Sequence, residues 1–555
     1  MNLFFRHTDA QPPPGLRRRA DAVLGRLGPG WRAAPWRHLV QAACLAGWLV
    51  LFFHVADSLG PDFSGGLLAR KEWVPAEALL WLDPLVGTSA SLAARAWTPA
   101  LAGAIAVLTL CLLFPRGFCA YVCPLGTLID VFDRFVGRRF ARARMERPGR
   151  WRGARYGVLV FGLAAAAVGV ALAGSAAAVP ILTRGFLLTG GRIQAAAVRG
   201  WSQVPPMGAA AYVSVALFAA VFLLGLLGRR FWCRTLCPTG AMLSVFSVLR
   251  LTERAVGEAC TGCGRCRRAC AFDAIAEDFT TRPLDCTFCQ ECGGVCPAGA
   301  IEFSSRRKPV RASPAGERPR ETHPVSRRAF VAAALGGAAA AAGLRGARPR
   351  QAALLRPPGA IEESRFLSLC VRCGECMKVC PGPVLHPAGL EGGLEALWTP
   401  VAVPSVAGCH QDCHFCTQVC PTGAIRPLTL AEKRRAVMGL AVVNTSACLP
   451  HAGRRDCRLC FDACERAGYR AIRMGTIRLE VGDIPEGAVS DADREAMGRI
   501  EAPFVDAEVC TGCGQCENRC HKAYVEREGV LGQSAIVVTA GGRGTAARAH
   551  PDGGA

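Results

Sequence analysis

Residues 260–270 read C-T-G-C-G-R-C-R-R-A-C, and residues 286–296 read C-T-F-C-Q-E-C-G-G-V-C. Both are Cys-x2-Cys-x2-Cys-x3-Cys runs. Two intervening residues let the loop turn its amides inward toward the sulfides of a compact iron–sulfur cubane, so three thiolates reach one cluster. The quartets Cys260, Cys263, Cys266, Cys270 and Cys286, Cys289, Cys292, Cys296 are followed by four more. These are Cys370, Cys373, Cys376, Cys380; Cys409, Cys413, Cys416, Cys420; Cys448, Cys457, Cys460, Cys464; and Cys510, Cys513, Cys516, Cys520. Together they use 24 of the 30 cysteines, and every one beyond residue 250. Secreted disulfides and four-cysteine zinc sites compete for such residues, but zinc seldom needs three cysteines so close together. The spacing predicts six [4Fe-4S] clusters, with iron held by these cysteines.

The rest of the chain reads as membrane protein. Its 555 residues are 51% hydrophobic, and the mean hydropathy is +0.25. Four charge-free stretches, Leu39–Ala56, Ala96–Phe114, Tyr156–Leu182 and Met207–Gly228, account for this. Each is near or above the roughly 18 residues that predict a transmembrane helix. The net charge of +22 does not point to nucleic acid, because the arginines crowd at particular membrane ends. Arg17, Arg18, Arg19, Arg26, Arg32 and Arg37 precede the first stretch, a run from Arg138 to Arg155 separates the second from the third, and Arg229, Arg230 and Arg234 follow the fourth. The positive-inside rule places these segments in the cytoplasm.

The apolar part is duplicated. Phe118, Cys119, Cys123, Pro124 and Gly126 recur as Trp232, Cys233, Cys237, Pro238 and Gly240, and each copy opens with an arginine, Arg116 or Arg230. The two copies predict two helical hairpins facing across a pseudo-twofold axis. Cys119, Cys123, Cys233 and Cys237 are then candidate redox thiols, as dithiol pairs or as one thiolate-bound site for iron or copper. Spacing alone does not choose between them. Cys44 and Cys111 read as small buried hydrophobes.

On these residues, 38–305 resemble the NapH-type membrane quinol-dehydrogenase component of periplasmic nitrate reductase systems. The order of spans, the two Cys-x3-Cys-Pro motifs and the step Asp83-Pro84 before the second span carry the likeness. The resemblance implies a crossed two-cluster ferredoxin domain. One cluster takes Cys260, Cys263, Cys266 and Cys296, the other Cys286, Cys289, Cys292 and Cys270.

Residues 326–330, S-R-R-A-F, precede an apolar run to Leu344 and resemble a twin-arginine export signal in mid-chain. The trailing Arg345, Arg348 and Arg350 depart from that pattern, and about 15 apolar residues is short for a span. The segment is therefore read as cleaved, weakly anchoring or never inserted. Residues 365–540 resemble the four-cluster NapG/MauM-type periplasmic ferredoxin, so the whole looks like a fusion of two subunits. Pairing of its motifs, first with second and third with fourth or first with fourth and second with third, stays open.

The expected fold is a membrane α-helical bundle of four transmembrane helices in two repeated hairpins, followed by small α+β bacterial ferredoxin-like domains. The expected division is 1–37 basic N-terminus, 38–250 membrane domain, 251–305 two-cluster domain, 306–364 linker with segment 326–344, 365–540 four-cluster domain and 541–555 tail. The resemblance implies an electron carrier in a bacterial inner membrane. Its expected partners are the quinone pool and a periplasmic reductase or cytochrome acceptor, with 365–540 outside and no nucleic acid. The competing reading is a maturation or metal-handling factor for a periplasmic metalloenzyme. His54 and His38, at the two ends of the first span, are candidates to touch a quinone. His414 and His521 form Cys-x3-Cys-His, one residue longer than a haem-attachment motif, and their cysteines are already used. No Gly-x-Gly-x-x-Gly after a predicted strand, P-loop or nucleophile elbow suggests nucleotide-dependent catalysis.

Overall fold

The computed structural model describes residues 33–56, 75, 77–137, 139–140, 149–199, 201, 204, 206–306, 326–346, 354–478 and 499–540. The basic N-terminus to residue 32, much of the second-to-third loop, the linker 307–325 and the tail 541–555 lie outside the described residues.

The helical part starts with α1 (Pro35–Ala56). The helix α2 (Pro84–Ala94) begins where Asp83 accepts from the Leu85 amide at 3.1 Å and Pro84 takes the first helical position, whose N–H needs no partner. It stops at Arg95, whose left-handed φ of 50° closes the last turn. The apolar helix α3 (Pro99–Leu113) then leads to a π turn at Phe118–Val122 and to α4 (Pro124–Phe135). The second copy repeats the order with α7 (Ala209–Leu223), the short helix Phe231–Thr235 and α8 (Pro238–Phe246). Between the copies lie α5 (Ala154–Ala167) and α6 (Ala178–Leu188).

Three described helices are long and apolar enough to cross a membrane, over Pro35–Phe53, Ala209–Leu226 and Arg327–Gly346. Where the second span is expected, the structure has the 15-residue α3, shorter than those three helices and about 22 Å long at 1.5 Å per residue. The expected third span, Tyr156–Leu182, is not one helix. Helix α5 ends in paired bonds from the Gly169 amide to Ala166 O and from the Val170 amide to Ala165 O, with Gly169 at φ 96°. A glycine in that conformation is the usual stop for a helix. The broken stretch presents small residues and free carbonyls, which later receive the C-terminal module.

The segment after Ser326 also differs from expectation. It forms α9 (Arg327–Gly346), 20 residues long, with the Ser326 hydroxyl accepting from the Ala329 amide at 3.2 Å. The helix packs along α5. Gly337 rests on the Phe161 carbonyl where any side chain would collide, and Arg345 Nη2 donates to Gly169 O at 3.3 Å. Both contacts keep the same offset of 176 residues, so α5 and α9 run parallel. Close backbone approach at glycine is how apolar helices associate without a hydrophobic driving force.

The cysteine-rich parts have little regular structure. Strands β1 (Thr252–Val256) and β2 (Ile301–Ser305) pair antiparallel from Thr252↔Ser305 to Val256↔Ile301 and hold the two motifs between them. Beyond α9, β3 (Leu385–Pro387) pairs with β4 (Pro400–Ala402), β5 (Leu440–Val443) with β8 (Ile536–Thr539), and β6 (Ile472–Arg478) with β7 (Arg499–Val505). The β5–β8 pairing closes the last two motifs into one unit.

Candidate functional site

The two Cys-x3-Cys segments meet. Cys119, Cys123, Cys233 and Cys237 line one cavity of about 350 Å³, with Phe118, Leu125, Ala178, Trp232 and Thr239 around them. In both copies the second cysteine amide bonds five residues back, Cys123 to Phe118 O at 2.8 Å and Cys237 to Trp232 O at 3.0 Å. This turn is wider than the i, i+4 turn of an α-helix, and such turns recur at functional sites. Each second cysteine then caps the next helix, its Sγ accepting from the Gly126 or Gly240 amide at 3.4 Å.

Two matched arginines flank the site, with different partners. Arg116 and Arg230 both sit in left-handed backbone, at φ 51° and 49°, and both are fully buried. Arg230 crosses to the first copy and donates to Cys119 O at 3.0 Å and to Gly126 O at 3.3 Å. Its charge is met by Asp130 at 2.5 Å, which also binds Arg37 at 2.9 Å. Arg116 lies against Gly240 of the second copy and donates to the carbonyls of Leu284 and Asp285. Asp83 is buried at the other wall, accepting from Val179 N at 3.2 Å and from the Thr239 hydroxyl at 3.1 Å. It ties α2, α6 and α8 together.

The first cysteine module sits directly on this site. The Tyr121 hydroxyl, between Cys119 and Cys123, donates to Phe288 O at 3.1 Å, between Cys286 and Cys289. Arg155 pairs with Asp285 at 2.6 Å, Arg37 with Glu291 at 3.2 Å, and Arg152 and Arg234 with Asp273. Arginines that the sequence presents as membrane flanks thus also clasp the carboxylates of this module. Their partners lie far away in sequence, so charge counting along the chain does not reveal the pairs.

The second module sits at the far end of α6. Arg184 donates to Arg372 O at 2.8 Å, to the Ser214 hydroxyl at 2.7 Å and to Ser175 O at 3.2 Å. Its guanidinium lies 4.2 Å from the Trp398 ring centroid, and Trp398 Nε1 donates to Ala210 O at 2.8 Å. Arg372 reaches Ala171 O in the broken stretch at 2.5 Å, and Gly174 leaves room for Val371, which a Cβ would approach to 2.8 Å.

Within both modules the fourth cysteine of a motif crosses to its neighbour. Cys260, Cys263, Cys266 and Cys296 surround a cavity of about 360 Å³. Cys286, Cys289 and Cys292 lie with Cys270. In the C-terminal module Cys370, Cys373, Cys376 and Cys420 enclose about 370 Å³, while Cys409, Cys413 and Cys416 lie with Cys380. Cys464, Cys510, Cys513 and Cys516 enclose about 340 Å³, and Cys448, Cys457, Cys460 and Cys520 about 390 Å³. Third motif therefore pairs with fourth and fifth with sixth along the chain, a choice the spacing left open. The two halves touch where the Cys409 amide donates to Cys513 O at 2.7 Å.

These cavities fit [4Fe-4S] clusters. Left-handed residues follow one another at Gly262 and Gly264, Phe288 and Gln290, Arg372 and Gly374, and Gly512 and Gly514. Such alternation turns amides into an anion-binding concavity. Backbone N–H groups also reach the crossing sulfurs, from Ala274 to Cys270 at 3.3 Å, Ile425 to Cys420 at 3.4 Å and Ala471 to Cys464 at 3.2 Å. Burial pushes the thiols up, Cys460 and Cys513 to about 12 and Cys380 to about 11. At neutral pH these side chains become thiolates only when iron supplies the compensating charge. Cys263 is exposed, so the outermost cavity of the first module opens to solvent.

The histidines are otherwise engaged. His38 bonds Gln41 at 3.1 Å and faces Glu291 of the first module at 4.0 Å, so it belongs to that interface and not to a lipid-facing pocket. The side chain of His54 lies outside the described residues. His414 Nδ1 meets Leu428 O at 2.6 Å and His521 Nε2 faces Glu526 at 3.7 Å.

Crossed cysteine loops in paired motifs define a ferredoxin-type iron–sulfur electron-transfer protein carrying multiple [4Fe-4S] clusters. Residues 96–142 and 210–253, the two copies of the repeat, each match a family described as 4Fe-4S binding domain. Residues 285–385 match 4Fe-4S dicluster domain, a match that joins a motif from each module across α9 and so reports the motif repeat rather than a folding unit. The Methylorubrum extorquens methylamine utilization ferredoxin-type protein MauM is 38% identical over 221 residues, 38% of this chain and 86% of its own length. The Escherichia coli ferredoxin-type protein NapG is 37% identical over 172 residues, 30% of this chain and 65% of its own. The Escherichia coli protein YccM, whose name marks it as a candidate electron transport protein, is 28% identical over 312 residues, 53% of this chain and 82% of its own. No solved structure matches. The chain belongs to the MauM family of ferredoxin-type proteins.

Proposed function

We propose that the chain is an inner-membrane electron wire that joins the quinone pool to a periplasmic reductase or cytochrome. The observation that carries this reading is the linear order of the cysteine sites. From the solvent-open Cys263, the sites run to the Cys286 group, the four-cysteine cavity, the Cys370 group, the Cys409 group, the Cys510 group and finally the Cys448 group. On one side Tyr121 and Arg116 bridge the cavity directly to the first module. On the other, Ala178 lines the cavity and Arg184 touches Arg372 six residues along α6, about 9 Å of helix.

The same order supports a topology. Arginine-rich ends support a cytoplasmic position for the first module. Helix α9 runs parallel to α5, so it carries the chain to the opposite face, where the second module is seated. The proposed architecture is thus the expected two-copy helical bundle with interrupted helices, and α9 as a further crossing. Its contacts with α5 at Gly337 and Arg345 support a segment retained as an anchor. Each cluster supplies one-electron redox chemistry when bound. The protein fixes the order, shields the sites and sets their potentials through hydrogen bonds and charge.

Metal delivery by the paired thiols is less well supported, because Cys123 and Cys237 are buried. The test is to add a reduced quinol to the purified protein under anaerobic conditions and to follow the clusters by electron paramagnetic resonance. Quinol-driven reduction is expected; clusters that dithionite reduces at potentials within the quinol's reach but that quinol leaves oxidised would remove the quinone from the account.

A further inference from the structure

We infer that Lys433 sets the redox potential of the cluster held by Cys380, Cys409, Cys413 and Cys416, raising it with a buried positive charge at the joint between the two halves of the second module. The inference rests on the crossed pairing of the cysteines and needs neither the quinone nor the periplasmic acceptor of the proposed function.

The position of Lys433 follows from its local sequence. The short helix Leu430–Arg435 opens on a capping box, in which the Glu432 amide donates to the Thr429 hydroxyl at 3.2 Å and the Glu432 carboxylate accepts from the Thr429 amide at 2.8 Å. This fixes the start of the helix and turns Lys433 inward, where it is 2% exposed. Its Nζ donates to His410 O, inside the loop from Cys409 to Cys413, at 2.5 Å, and to the Tyr469 hydroxyl at 3.4 Å. Tyr469 lines the cavity of Cys464, Cys510, Cys513 and Cys516. The same joint is closed by the Cys409 amide on Cys513 O at 2.7 Å and by Gln515 Nε2 on Cys409 O at 3.4 Å. One ammonium therefore stands between two neighbouring cysteine sites.

No side-chain carboxylate cancels this charge among the described residues. Asp412, the carboxylate of the same loop, pairs with Arg434, and Glu432 is engaged by the cap. Other cations near cysteine motifs of this module differ. Lys378, in the Cys370 motif, is paired with Glu375 at 2.5 Å, and Arg455, in the gap between Cys448 and Cys457, is exposed and paired with Glu528 at 3.0 Å. A buried cation without an anionic partner is costly, and the sulfur of Cys409 is the partner at hand. Burial pushes the Cys409 thiol up, and the Lys433 ammonium beside it pulls the other way. A four-thiolate cluster gains a negative charge on reduction, so a fixed cation in a dry site stabilises the reduced form and raises the potential.

The experiment is a mediated redox titration of the anaerobically purified full chain, followed by electron paramagnetic resonance, with iron counted in each sample. Lys433→Met should lower the midpoint of one component by at least about 59 mV, a tenfold change in a one-electron equilibrium, with the iron content unchanged. The shifted component must be the one that Cys380→Ser perturbs, and Lys433→Arg, which keeps the charge, should recover most of the shift. An unchanged midpoint in Lys433→Met overturns the inference, even if that variant unfolds at lower denaturant, because a merely structural lysine would behave so. An equal shift of every component, or a shift confined to a component that Cys380→Ser leaves intact, overturns it as well. Should Lys433→Met lose iron, Lys433→Gln retains a donor for His410 O and removes the charge, and the same downward shift is then required. Mediators and dithionite set the potential directly, so a protein that quinol fails to reduce still gives this result, and the two failures are told apart.

Discussion

A few buried polar side chains hold the second module and the four-cysteine site in place. Arg184→Ala would leave Arg372 O, Ser214 and Ser175 O without a donor and remove the cation over Trp398. A loss of about 2–4 kcal/mol is expected for such a site, read as release of residues 354–540 to limited proteolysis at lower denaturant than in the wild type. Asp83→Ala would orphan the Val179 amide and the Thr239 hydroxyl beside the four cysteines. It should lower the melting temperature by an amount matching about 2–4 kcal/mol, with Asp83→Asn recovering only part, since an amide accepts on one atom alone. The cysteines themselves were legible in the sequence, because cubane chemistry imposes their spacing. The partners of Arg37, Arg155 and Arg230 were not. A guanidinium that flanks a membrane and one that clasps a carboxylate a hundred residues away look alike in a linear chain.

At the scale of the element, hydropathy located the apolar segments but not their breaks. Tyr156–Leu182 carries no charge and reads as one span, yet Gly169 stops α5 and Gly174 admits Val371. Gly169 meets Arg345 of α9 and Gly174 meets Val371 of the second module, 176 and 197 residues later, which no local window contains. Segment 326–344 was read as weak because its apolar run is short, and its length as a helix is completed by the flanking Arg327 and by Gly346. Gly337→Leu tests the packing of α9 on α5. With Phe161 O in the path of any side chain, the substitution should separate the two helices. A cysteine cross-link engineered between them should form in the wild-type background and fail in the variant; an unchanged cross-linking yield would refute the packing. The crossing of motifs has a companion test. Cys420→Ser should perturb the spectrum of the site formed with Cys370, and Cys380→Ser that of the site formed with Cys409.

At the scale of the whole molecule, two cysteine modules sit at opposite ends of a duplicated helical unit whose centre is a four-cysteine cavity. The division of the quartets, two before α9 and four after it, was readable from composition and repeats. Their continuity was not, because only folding brings Tyr121 to Phe288 and Arg184 to Arg372. On the proposed function, electrons pass from the first module to the second through Cys119, Cys123, Cys233 and Cys237. The most direct measurement uses sealed inverted membrane vesicles that expose the first module, with dithionite added outside and the second-module clusters followed by freeze-quench electron paramagnetic resonance. The wild type should show those lumenal clusters reduced, and the Cys119→Ser, Cys233→Ser variant should show first-module reduction only. Equal reduction of the second module in both chains would contradict the account.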